Sequence, residues 1–160
     1  MDTSFSMIPS LFKRNAQLFE KATQGIPPER WLARPSSDSN HLLWIAGHVV
    51  VHRAIILKLL GVEWSAPWAK LFARGAKLVA PEQYPGAGEI QRAWNDVSQN
   101  LSTSLANVSA EVLAKPAPKE SPSFDQTVGG QIAFLGFHET YHVGQMSYLR
   151  KWLGYGQVVG

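Results

Sequence analysis

The chain of 160 residues is 45% apolar and 17% charged, a balance that fits a globular protein and excludes an intrinsically disordered one. It has no cysteine, which excludes a disulfide framework, a thiolate metal ligand and a cysteine nucleophile. Its net charge of +3 comes from scattered Lys and Arg without a dense basic run, so nucleic acid is not the expected partner.

The length fits one domain over residues 1–160. Four helical patterns follow one another, and no strand pattern is convincing. The first covers about 5–23, where Phe5, Ile8, Leu11, Phe12, Leu18 and Phe19 recur at helical spacing before Gly25, Pro27 and Pro28 end it. Ser36-Ser37-Asp38-Ser39 offers N-caps for a second helix over about 40–60, closed by Gly61. No apolar run is expected to span a bilayer, because His48, His52, Arg53 and Lys58 interrupt the nearest one, Leu42 to Leu60. The residues after Met1 lack a basic region and apolar core, so no export signal is expected and the location expected is cytoplasmic.

From Gly61 to Gly88 prolines and glycines break the pattern, apart from a short helix expected within 68–79. So long a connection reads as a crossover, with the second and third helices running the same way. The third helix, about 89–108, carries the clearest stripe: Ile90, Trp94, Val97, Leu101, Leu105 and Val108. A short piece over 110–114 and a solvated linker over 115–122 precede the last helix, capped by Thr127 and ended by Gly154. The fold class is all-α: a four-helix bundle with an up-down-down-up order.

Of five histidines, His138 and His142 are one turn apart on the last helix, about 40° apart around its axis at ~3.6 residues per turn. Two buried imidazoles without partners would cost about 1–3 kcal/mol each, and a shared metal satisfies both. Gly136 and Gly144 flank the pair with small residues that admit a neighbouring helix. The segment also spells the H-E-x-x-H string of zinc proteases, but no His, Asp or Glu follows His142 to provide the third ligand such enzymes use. That ligand must come from upstream. His48 lies mid-helix in apolar surroundings beside Gly47, His52 shares its face as a rival, and His41 is in the first turn, where it suits a cap or solvent.

Asn40-His41-Leu42-Leu43-Trp44-Ile45-Ala46-Gly47-His48 and His138-Glu139-Thr140-Tyr141-His142-Val143-Gly144-Gln145, with Leu149-Arg150, resemble the DinB/YfiT-like superfamily of small four-helix bundles. The resemblance implies a divalent metal held by one histidine of the second helix and two of the last, matching His48, His138 and His142. It agrees with the up-down-down-up order. Val143 stands where the family often has a basic residue.

Three neutral imidazoles with an open position make a catalytic rather than a closed structural site, with ring nitrogens expected about 2.0–2.2 Å from the ion. They suit zinc or nickel best, ferrous iron next, and calcium or magnesium poorly. By the resemblance, the leading expectation is a thiol-dependent S-transferase using a low-molecular-weight thiol cofactor and a small-molecule substrate. The alternatives are a hydrolase using metal-bound water and a non-enzymatic metal-binding stress-response protein. Glu139 is the candidate catalytic base, weighed against a carboxylate that is solvated or paired with a cation; Gln145 is a candidate donor of a hydrogen bond behind a ligand or a tie between helices, and Trp44 a candidate pocket wall against a default of core packing. Six Trp and seven Phe leave aromatic surface for a homodimer.

Overall fold

The computed structural model describes residues 3–159. Four long helices and one short one form an all-α bundle: α1 (Thr3–Thr23), α2 (Leu42–Leu59), α3 (Ala87–Asn107), α4 (Ala110–Leu113) and α5 (Val128–Trp152). No strand occurs among the described residues; Pro116 and Thr127 make one isolated bridge.

The helices start and stop where local chemistry requires. The cap of α2 is His41 rather than the serines expected upstream: its Nδ1 accepts from the Trp44 N–H at 3.0 Å. Thr127 caps α5 as expected, its hydroxyl accepting from the Gly130 N–H at 3.0 Å. Of the short helix expected within 68–79, only one 3-10 turn forms, Ala69–Phe72. The segment expected to be a solvated linker is pinned in place. Ala117 N–H donates to the Gln126 carbonyl and Val128 N–H to the Lys115 carbonyl, each at 2.8 Å.

α2 is deeply buried. Its residues from Leu42 to Val50 are all buried, and it packs against α3, α5 and the Ala69–Phe72 turn. A helix apolar on every side belongs in a core. By length and composition Leu42–Leu59 is also apolar enough to cross a membrane, contrary to the sequence expectation, but 72% of that stretch is buried inside the bundle. Its His48, His52 and Arg53 are buried with it.

Around α2 the contacts are specific. Asn15 on α1 donates to Thr140 Oγ1 on α5 at 3.0 Å, and a Cβ at Gly136 would meet Leu11 at 3.1 Å, so α1 and α5 approach closely there. Gly144 plays no such part: nothing lies within 4 Å of its Cβ position. Further along, Arg150 on α5 donates to the Gln24 carbonyl just past α1. The His41 ring meets Tyr84 before α3 at 5.1 Å, and Arg53 reaches Ser98 on α3.

Arg53 ties the bundle together. Its Nε and one terminal nitrogen donate to both oxygens of Glu139 on α5 at 2.7 and 2.8 Å. Two further N–H donors reach Ser98 Oγ on α3 at 2.7 Å and the Phe12 carbonyl on α1 at 3.0 Å. Trp94, stacked at 3.9 Å on Phe19, lies under the guanidinium, also at 3.9 Å. Both side chains are only 2% exposed, so the pair is desolvated, with four hydrogen bonds to the guanidinium. Removing one partner leaves an uncompensated buried charge. Glu139→Ala should therefore lower stability in urea unfolding by about 3–5 kcal/mol, and the double change Arg53→Met with Glu139→Leu should lose less. A single variant as stable as the wild type would contradict this role for the pair.

Candidate metal centre

One turn from that ion pair, α2 and α5 bring three imidazoles together. The ligand-type nitrogens of His48, His138 and His142 all lie within 4.8 Å of one another. His138 Nε2 is 3.5 Å from His48 Nε2 and 3.1 Å from His142 Nε2. Three nitrogens about 2.05 Å from one tetrahedral ion would be about 3.3 Å apart, so these separations suit a shared divalent ion. His48 and His142 are buried and His138 is half-buried, which makes the His138 side the more accessible.

The atoms behind two rings set which nitrogen is free. His48 Nδ1 lies 2.7 Å from the Phe72 carbonyl, which can only accept, so Nδ1 carries the proton and Nε2 keeps its lone pair. His142 Nδ1 likewise donates to Gln145 Oε1 at 2.7 Å. Such partners orient metal-ligating imidazoles and fix their tautomer. Gln145 was legible as a hydrogen-bond partner in the sequence, though it accepts where donation was expected. Phe72 was not, because a backbone carbonyl leaves no mark on side-chain patterns. A trace of it exists in Gly47: a Cβ there would lie 2.4 Å from the Phe72 ring, so only glycine lets that turn settle onto α2.

The other singled-out residues fall into distinct places. Trp44 belongs to the buried core, the default for it, and also stacks on His48 with centroids 4.7 Å apart while donating its Nε1–H to the Leu71 carbonyl at 3.2 Å. His41 is the helix cap, away from the cluster. His52 stays outside the three-nitrogen group, yet its ring packs 4.2 Å from His138 and 4.3 Å from His48. Glu139 is 1% exposed and gives both oxygens to Arg53, the cation-paired state weighed for it beside a base.

Burial dominates the electrostatics. Desolvation lowers the pKa of His48 to about 4; the Phe72 carbonyl opposes this and His142 adds to it. Desolvation, then the charges of His142, His48 and Arg74, lower His138 to about 4. His52 falls to about 2 through desolvation and then its histidine neighbours and Arg74. His142 is lowered too, by desolvation against the hydrogen bond to Gln145. The cluster is thus neutral at physiological pH, the state in which imidazole binds metal.

The profile of the DinB superfamily matches residues 11–146, which hold every residue of this cluster, and the chain belongs to that superfamily. No curated protein matches the chain significantly.

Because these histidines bind protons less readily when folded than near their ordinary value of 6.5, the unfolded chain takes up more protons between pH 6.5 and about 4. Their contribution to stability is therefore complete above pH 6.5 and lost as pH falls toward 4. The urea midpoint of the metal-free protein should be lower at pH 5.0 than at pH 7.5. A constant midpoint across that window would contradict the burial of neutral imidazoles.

Proposed function

We propose that this DinB-superfamily protein is a metal-dependent enzyme holding one divalent ion, zinc or nickel ahead of ferrous iron, on His48, His138 and His142, and that it catalyses thiol-dependent S-transfer to a small electrophile. The observation that carries the reading is the convergence of three Nε2 atoms, two of them with tautomers already set by Phe72 and Gln145. When bound, such an ion lowers the pKa of a coordinated thiol, and three neutral ligands leave it its full charge. Every further task falls to the chain. Phe72 and Gln145 hold two ligands, and Trp44 closes one side of the cluster. Arg74 is exposed two residues beyond Phe72, and its charge reaches His52 and His138, so an anionic thiol approaching the site is favoured. We assign Glu139 to holding Arg53 rather than to proton transfer.

The same reading includes the up-down-down-up order within one domain. Supporting it, partners on α2 and α3 advance together, from His41 with Tyr84 to Arg53 with Ser98. So do those on α1 and α5, from Asn15 with Thr140 to Gln24 with Arg150. It also includes a cytoplasmic homodimer. The aromatic side chains that α5 leaves exposed, Phe137, Tyr141, Tyr148 and Trp152, support an interface there.

Metal analysis of purified protein should find one divalent ion per chain, lost on His138→Ala or His142→Ala and retained on His41→Ala. Loaded protein mixed with a low-molecular-weight thiol and monochlorobimane should form the conjugate on the order of 100-fold faster than His138→Ala, since a ligand should matter at least as much as the groups behind it. Metal bound without thiol turnover would sink the transferase reading. Ester hydrolysis by the loaded protein would then mark the hydrolase, and inertness toward both would mark the non-enzymatic metal protein.

A further inference from the structure

Four exposed aromatic side chains gather on one helix. Phe137, Tyr141, Tyr148 and Trp152 are between 45% and 63% exposed, and all belong to α5. At ~3.6 residues per turn they and Gly144 fall within about 80° of one another around the axis, so they form one stripe. The rest of the bundle packs on other sides of α5, where Glu139 faces Arg53 and Thr140 faces Asn15. Phe124, itself exposed, extends the patch by meeting the Phe137 ring with centroids 6.4 Å apart. Large apolar side chains recurring at such spacing on an outward face match the seam by which one helix packs against another.

The stripe is symmetric about its centre. From the midpoint between Gly144 and Gln145, Phe137 and Trp152 lie equally far along the helix, and so do Tyr141 and Tyr148. A two-fold axis through that midpoint, perpendicular to α5, lays every one of these aromatic residues against an aromatic residue of a second copy. Gly144 suits a close crossing there, because it is exposed and nothing lies within 4 Å of its Cβ position. A cleft of about 550 Å3 beside it, lined by Tyr141, Gly144, Gln145 and Tyr148 and across from them by Asp38 and Asn40, has room for a side chain of that copy. Parallel packing would also join the stripes, but it would set Lys151, in the last turn of α5, against its own counterpart and align two helix dipoles. Antiparallel packing avoids both.

We infer that a second copy of this chain docks on α5 in antiparallel orientation, about a two-fold axis beside Gly144, with Phe137 meeting Trp152 and Tyr141 meeting Tyr148 of the other copy. This rests on the homodimer proposed above and gives it an orientation and a centre. The axis passes beside Gln145, whose Oε1 accepts from His142 Nδ1 at 2.7 Å and whose Nε2 donates to Tyr141 Oη at 3.4 Å. The interface therefore borders the bond behind one candidate metal ligand, and each copy covers that bond in the other.

Sedimentation velocity at micromolar concentration and disulfide cross-linking test the inference, the second because the chain has no cysteine of its own. Wild type should sediment as a dimer. Gly144→Leu puts a better helix former into space that is open in the single chain, so it should stay folded by circular dichroism while its dimer weakens at least about 10-fold. Mild oxidation of an equal mixture of Phe137→Cys and Trp152→Cys should give the mixed disulfide. Trp152→Cys alone should give little cross-linked dimer, because its two copies would be about 22 Å apart where a disulfide needs Cα atoms within ~7 Å. A monomeric wild type would overturn the inference together with the homodimer reading. A wild-type dimer that Gly144→Leu leaves unchanged would overturn the inference alone, by placing the interface elsewhere. Efficient cross-linking of Trp152→Cys to itself would also overturn it alone, since that requires parallel helices.

Discussion

The bundle is organised around one buried guanidinium. Arg53 reaches out from α2 and touches the other three long helices, through Glu139 on α5, Ser98 on α3 and the Phe12 carbonyl on α1. An ion pair this deep contributes less to net stability than its Coulomb attraction suggests, because both charges leave water. Its larger effect is on register. Glu139 directly follows His138, and Arg53 lies five residues beyond His48, so pairing the charges sets α2 against α5 where the imidazoles face one another. A slip of one turn would strand two charges in the core.

Around the imidazoles the scaffold reaches further than the two helices that carry them. The turn at Ala69–Phe72 belongs to the long connection after α2, yet its last carbonyl holds His48 and the preceding one receives Trp44. Gly47 is what permits this approach, since any side chain there would collide with the Phe72 ring. This connection therefore finishes the site. Part of its length folds one turn back onto α2.

Four imidazoles in one apolar cluster are a cost to folding at low pH and an advantage to metal binding. Desolvation keeps them neutral, so little proton displacement is required when a cation arrives. Glu139 shows the same economy in a different form. Although it sits within the H-E-x-x-H string, helical geometry turns it about 60° from His142, and it points toward the buried Arg53. The letters of a protease motif thus contain a buried carboxylate paired with Arg53 between two candidate ligands.

The sequence by itself determined the helices, because apolar residues at three- and four-residue spacing leave few other structures, and it determined that His138 and His142 share a face, because that follows from ~3.6 residues per turn. It also carried the family, through the two histidine segments. Which upstream histidine meets the pair was another matter. His48 and His52 lie one turn apart on one face, so periodicity treats them alike. Only the register of α2 against α5 puts His48 Nε2 3.5 Å from His138 Nε2 and lays His52 against the side of that ring. Nor was the cation that pairs with Glu139 legible, since Arg53 is 86 residues away in the chain. Local spacing acts within a few residues, whereas the choice of tautomer, partner and ligand depends on contacts between helices, and these exist only once the bundle has closed.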